Sequence, residues 1–148
     1  MSADAVNYRA MTADDMTAIA LVHRAACLVA YRFMNWDHAV DEIAAWYAGK
    51  FADWDHAEVA ERDGEVIAYL AAAGGLVDQL FVAPEAQGKS TGRRLLEAHL
   101  VRGIRPVTLQ VFERNEPARR FYERFGFREV DAWWNEVDGA RELLMQLD

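Results

Sequence analysis

A length of 148 residues leaves room for one domain with one sizeable core, and a single domain over 1–148 is the expected organisation. A hydrophobic share of 53% beside 27% charged residues is that of an ordinary globular chain and excludes a low-complexity one. The formal charge of −8 argues against nucleic acid as a partner, because phosphate binding draws on Lys and Arg.

In chain order, residues 5–10 (AVNYRA) read as a short strand, with Thr12 placed to cap the first helix. Met16, Ile19, Ala20, His23 and Cys27 recur at helical spacing, which predicts a helix over 13–29. A second helix over 37–51 carries Val40, Ile43, Ala44 and Tyr47 on one face. The period then falls to 2. Strands over 57–62 and 65–72 flank Asp63-Gly64, a tight-hairpin signal, and Gly74-Gly75 turns the chain into a strand over 76–82. A helix over 89–101 with Leu95, Leu96, His99 and Leu100 on one stripe ends at Gly103 and Pro106. The strand 107–112 then lies parallel to 76–82. A fourth helix, 116–125, stops at Gly126, and two last strands, 127–134 and 141–147, flank Asp138-Gly139. The expected fold is α+β: a mixed sheet, antiparallel at both ends, with one parallel β-α-β step and about four helices.

Cys27 is the single cysteine, so no intramolecular disulfide forms, and the scattered His residues show no metal-ligand spacing. Residues 1–4 lead straight into polar sequence with no leader pattern. The most apolar window, 19–30, is broken by His23 and Arg24 and is too short to span a bilayer. A cytoplasmic protein with no membrane partner is therefore expected.

The stretch 76–100 aims backbone N–H groups and a helix's positive end at one spot, which suits a phosphate. The run from Ala83 to Ser90 nearly spells the G-x-x-x-x-G-K-[ST] nucleotide loop, and Mg-ATP binding lost on Lys89→Ala is what that remote alternative requires. Against it, three antiparallel strands precede the loop, and Pro84 and Glu85 stand where a triphosphate would be wrapped.

Val82-Ala-Pro84, Gln87-Gly88-Lys89-Ser90-Thr91-Gly92 and Asn115-Glu-Pro-Ala118-Arg-Arg-Phe121-Tyr122-Glu-Arg-Phe125-Gly126-Phe127 together resemble the GCN5-related N-acetyltransferase (GNAT) superfamily. They match its V-x-P strand end, its [Q/R]-x-x-G-x-[G/A] pyrophosphate loop and its N-x-x-A-x-x-x-Y-x-x-x-G-F helix. One departure is Ser90, where the family commonly has glycine; Ser90 is then expected to cap the helix or to offer its hydroxyl to a phosphate.

The resemblance implies acetyl-CoA as co-substrate, lying in a wedge between the two parallel strands. Leu80, Phe81 and Val82 would offer backbone groups to it. Gln87, Gly88, Lys89, Ser90, Thr91 and Gly92 would cradle the pyrophosphate, with Arg93 and Arg94 as further cations unless these are only a solvated helix start. Asn115 would contact the cofactor, cap its helix, or do both. Tyr122 would be the general acid for the departing thiolate, or else a core aromatic. Asp78 is the candidate general base, sharing a face with Leu76, Leu80 and Val82 if alternation holds, and Glu113 is a weaker one. His23 and His99 read as core or boundary residues, and His38 and His56 as exposed ones. The five tryptophans, Trp36, Trp46, Trp54, Trp133 and Trp134, wall an acceptor pocket or close a core or dimer interface.

The function so implied is transfer of acetyl to a primary amine, on a small molecule or a peptide, by direct attack in a ternary complex. A monomer or homodimer is expected. A non-catalytic acyl-CoA-binding domain is the alternative.

Overall fold

Asp63 and Gly64 both take positive φ, 55° and 76°, the mirror-image turn whose twist suits a two-residue hairpin. They join β2 (His56–Arg62) to β3 (Glu65–Ala73) in the computed structural model, which describes residues 5–34 and 36–148. Residues 1–4, which carry the reading of a leaderless start, lie outside the described residues. Before this hairpin come β1 (Val6–Ala10), α1 (Met16–Ala30) and α2 (Val40–Lys50). After it come β4 (Leu76–Val82), α3 (Thr91–Leu100), β5 (Val107–Phe112), α4 (Glu116–Arg124), β6 (Arg128–Asn135) and β7 (Ala140–Leu147). Thr12 does cap, but it caps a 3-10 turn over 13–15. Its side chain accepts from Asp14 N–H while Asp15 reaches back to Thr12 N–H at 2.7 Å, and α1 starts only at Met16. The Asp15 carboxylate also holds Arg9 of β1 at 2.8 Å, which fixes the entry to α1 against the sheet edge.

The seven strands run in the order β1-β2-β3-β4-β5-β7-β6, antiparallel except for β4 beside β5. β7 therefore inserts between β5 and β6, leaving β6 as an edge. β3 is the buried centre: residues 67–72 are all 3% exposed or less, without alternation. A strand covered on both faces reads this way. Helices α1 and α3 both pack on it, and Tyr47, Tyr69, Leu70, Leu95, Leu96 and Leu109 are among the fully buried side chains of the core. Among the described residues, no helix is long and apolar enough to cross a membrane.

His99 is core, at 1% exposed, but His56 is not a free surface residue. Their rings stack at 5.1 Å with 9° between planes, and their Nδ1 atoms lie 2.9 Å apart. One ring must donate and the other accept, so the pair survives only while the accepting ring is neutral. Burial, then the neighbouring ring, holds His99 down to about 4, and burial lowers His56 too. A histidine lowered in the fold takes its proton more readily when unfolded. Stability is thus full above the ordinary pKa of about 6.5 and falls as pH drops toward 4, with Glu58, raised by burial, working the other way. The melting temperature should therefore be lower at pH 5 than at pH 7.5, and the gap should narrow in His99→Phe. An equal gap in that variant would assign the effect elsewhere.

Candidate active site

β4 and β5 meet at a single register pair, Leu76 opposite Thr108, where Thr108 N–H donates to the Gly75 carbonyl at 2.9 Å. Beyond it they diverge. Their outer edges stay paired, β4 with β3 and β5 with β7, so among the described residues the inner backbone groups of 80–82 and 109–111 face no partner strand. A cavity of about 1230 Å³ opens there, and its walls include Leu80, Phe81, Val82, Leu109, Val111 and Tyr122.

A bulge shapes the near wall. Ala72 pairs with Val77 and Ala71 with Gln79, which leaves Asp78 as an extra residue. Alternation therefore fails, and Asp78 does not take the face expected from Leu80 and Val82. With Gln79 it turns toward α2: Asp78 Oδ2 accepts from Trp54 Nε1 at 3.0 Å and pairs with Lys50 Nζ at 2.9 Å, while Gln79 Oε1 accepts from Tyr47. Lys50 also lies over the Trp46 ring at 4.3 Å. Glu113 pairs with Arg141 at 3.0 Å and is absent from the cavity lining.

After β4 the chain is tied down by Ala83 N–H on the Ile67 carbonyl (2.8 Å) and by Gln87 Nε2 on the Val82 carbonyl (3.1 Å). Gly88 and Ser90 take φ of 79° and 67°, and the first internal bond to the turn is Arg94 N–H on Ser90. Among the described residues, the N–H groups of 88–93 thus have no hydrogen-bond acceptor, and they surround the positive end of α3. Ser90 sits at the N-cap position without using its side chain as a cap. Gly92 leaves room for Val82, whose methyl would lie 3.2 Å from an added Cβ. Arg93 lines the cavity, whereas Lys89 does not, and Arg94 lies 6.0 Å from the Tyr8 ring. The left-handed conformation costs a residue with a Cβ about 1–2 kcal/mol. Ser90→Gly should therefore raise stability by about 1 kcal/mol, read as a higher melting temperature; a fall would show that the hydroxyl contributes more than the strain.

The far wall is α4. Asn115 caps it by accepting from Ala118 N–H at 3.4 Å and also lines the cavity. Tyr122 is 9% exposed, with its ring against Phe121 and Phe127 and no hydrogen bond to its hydroxyl among the described residues. Burial pushes its phenol up. Tyr31, just past the end of α1, is raised by burial as well, and Asn115 partly offsets that.

The third wall was not legible as a site in the sequence. His23, which helical spacing reads as a core or boundary residue, lines the cavity with its ring 4.6 Å from that of Phe81 and 5.7 Å from that of Trp36. Its Nδ1 lies 2.5 Å from Tyr47 Oη and 3.3 Å from Tyr69 Oη. The one available signal is Asp78-Gln79, two adjacent polar residues inside an otherwise apolar strand, which call for polar partners beside it. Of the five tryptophans, Trp36 and Trp46 line the cavity; Trp54 and Trp133 bind carboxylates, and Trp134 is 61% exposed.

Residues 53–129 match the family model described as an acetyltransferase (GNAT) domain. The chain is 32% identical over 78 residues to the peptidyl-lysine N-acetyltransferase YiaC of Escherichia coli (strain K12), covering 51% of this chain and 52% of that protein. It is 36% identical over 70 residues to the peptidyl-lysine N-acetyltransferase YjaB of the same organism, covering 47% and 46%. The matched region thus spans about half the length of these curated relatives. In fold it is similar to yncA of Salmonella typhimurium, solved with its cofactor acetyl-CoA, at a TM-score of 0.73 and 21% identity over 98% of this chain and 94% of that one.

Proposed function

The chain belongs to the GNAT acetyltransferase family, and on that premise we propose that it moves the acetyl group of acetyl-CoA to a primary amine by direct attack in a ternary complex. The observation that carries this reading is the split between β4 and β5. It presents unpaired strand edges to an elongated ligand, beside N–H groups at 88–93 that suit a pyrophosphate. The residues present fit the group: Leu80, Phe81 and Val82 would hold its arm, Gln87, Gly88, Lys89, Ser90, Thr91 and Gly92 its pyrophosphate turn, and Asn115 its far side. Bound there, acetyl-CoA supplies an acetyl group already activated as a thioester.

Tyr122 holds a proton at its hydroxyl across neutral pH and serves as general acid toward the departing sulfur. Cys27 lines the cavity too, but burial pushes its thiol well up, so it stays protonated and gives no acyl-enzyme. A lysine side chain on a peptide is the proposed acceptor, supported by the two peptidyl-lysine relatives. A small-molecule amine is the other acceptor to be tried.

The test is thermal unfolding with acetyl-CoA and, in parallel, with ATP plus Mg²⁺, followed by thiol release in the presence of a lysine peptide. A ligand that binds only the folded state adds about 2.7 kcal/mol at a hundredfold excess over Kd. Stabilisation by acetyl-CoA together with thiol release is expected. Stabilisation without release from any amine would leave a non-catalytic acyl-CoA binder, and stabilisation by Mg-ATP alone would overturn the reading.

A further inference from the structure

An amine that attacks a thioester carries a proton that must leave as the N–C bond forms. Asp138 and Glu142 also line the cavity but accept from Asn135 and Trp133 of the β6–β7 hairpin, which leaves Asp78 and His23, on the side of α1 and α2, as the groups able to take the proton. Asp78 already serves two donors through one oxygen, Trp54 Nε1 and Lys50 Nζ, and its side chain is 19% exposed. We propose that His23 Nε2 is the atom that takes the proton, directly from the acceptor amine. The proposal rests on the acetyl-transfer reading of the same cavity.

The hydrogen-bond network selects the tautomer. Tyr47 Oη lies 2.5 Å from both His23 Nδ1 and Tyr69 Oη, and 3.3 Å from Gln79 Oε1. An amide oxygen only accepts, so Tyr47 O–H donates to Gln79. Tyr69 O–H then donates to the Tyr47 oxygen, and so does His23 Nδ1–H. Every group in the cluster is satisfied in this arrangement, whereas a proton on Nε2 leaves either Gln79 Oε1 without its donor or, if Tyr69 O–H turns to Nδ1 at 3.3 Å, the 2.5 Å contact between the two tyrosine oxygens without a proton. The imidazole proton therefore sits on Nδ1 and the lone pair on Nε2. Among the described residues Nε2 makes no hydrogen bond, and it is not one of the sealed polar atoms, so it is open to the cavity.

The surroundings hold this geometry. Trp36, Trp46 and Phe81 pack around the ring from three directions, with centroids at 5.7, 6.3 and 4.6 Å. Burial, then the field of His38, lowers the ring to about 4, so it is neutral at pH 7. The charges nearest on α2 and β4, Lys50 and Asp78, neutralise each other. A neutral imidazole this reluctant to protonate becomes a competent acceptor only as the amine nitrogen grows acidic on bonding to carbon. In the step, the amine N–C bond forms, its proton passes to His23 Nε2, the C–S bond breaks, and the sulfur takes the Tyr122 proton. Solvent then returns a proton to Tyr122 and removes one from His23. Tyr47, Tyr69 and Gln79 are positioning residues that fix the tautomer.

The experiment compares wild type, His23→Gln and Asp78→Asn for thiol release from acetyl-CoA with two nucleophiles, each above its uncatalysed background. One is a lysine peptide with a blocked N-terminus, which enters as its neutral amine after solvent takes the first proton and whose strongly basic nitrogen still holds a proton once bonded to carbon. The other is hydroxylamine, whose weakly basic nitrogen gives that proton to water once bonded to carbon and so needs a base far less. Acetyl-CoA stabilisation of all three proteins is read first. His23→Gln is expected to lose about 100-fold or more toward the peptide and less than about tenfold toward hydroxylamine, whereas any loss in Asp78→Asn should fall equally on both nucleophiles. Equal losses on both nucleophiles in His23→Gln, or the selective loss appearing in Asp78→Asn, would overturn the proposal. Wild type that binds acetyl-CoA but releases thiol with neither nucleophile would sink the transfer reading itself, and the proposal with it. Ring ¹⁵N shifts of His23 in the wild-type protein test the tautomer without any variant: a proton on Nδ1 supports the assignment, and one on Nε2 overturns it.

Discussion

Replacing Tyr122 by Phe is expected to lower kcat for thiol release by about 10²- to 10³-fold while leaving acetyl-CoA binding intact. The change removes one oxygen and little else. The hydroxyl has no hydrogen-bond partner among the described residues, so no pairing inside the protein is lost. The ring contacts with Phe121 at 5.2 Å and Phe127 at 5.7 Å are ones that Phe keeps. Stability should therefore stay within about 0.5 kcal/mol of wild type, which separates chemistry from folding. The size of the loss reflects what a positioned acid contributes when the leaving group is a thiolate. A loss below tenfold, with folding unchanged, would remove Tyr122 from the acid role and leave the sulfur to take its proton from water.

Gly75→Ala is expected to destabilise the protein by about 3 kcal/mol and to lower its melting temperature by about 10 °C. Gly75 lies where the β3–β4 turn crosses the start of β5. A Cβ there would come within 2.4 Å of the Pro106 carbonyl oxygen, and a backbone atom cannot swing aside as a side chain can. Relief has to come from moving β4 away from β5, at the register pair that holds the two strands together. Acetyl-CoA binding should weaken along with stability, because the splay that makes the cavity starts from that point. Gly64→Ala is a useful contrast: its Cβ would meet nothing within 4 Å, although its φ of 76° still strains a side chain. If Gly75→Ala melts like wild type, the junction is more pliable than its geometry indicates.

Much of this was legible in the residues, for a physical reason that also explains the failures. Local patterns report local structure: Asp63-Gly64 turned as expected, and the β4-α3-β5 step and the order of elements came from changes of period. Pairing across the chain is another matter. Nothing in residues 128–147 says that β7 lies between β5 and β6, since either order buries the same apolar face. A period of 2 cannot show where one residue is inserted, so simple alternation puts Asp78 on the wrong side of its strand. Helical spacing puts His23 on the inner stripe of α1, but not opposite a gap where the sheet has parted. Ser90 shows the limit in another form: its departure from glycine is plain in the sequence, while its left-handed backbone, with the side chain unused as a cap, is set by the folded loop.

The place of β7 has a consequence for biosynthesis. It comes after β6 in the chain yet pairs with both β5 and β6, so β6 has no strand to join until residues 140–147 have left the ribosome. Until then β5 has no strand along its outer edge, even though the Gln87–Gly92 loop and α3 are already made. Acquisition of ligand affinity should thus be a late, nearly all-or-none event in the birth of the molecule, set by closure of a long-range contact rather than by the motifs that identify the site.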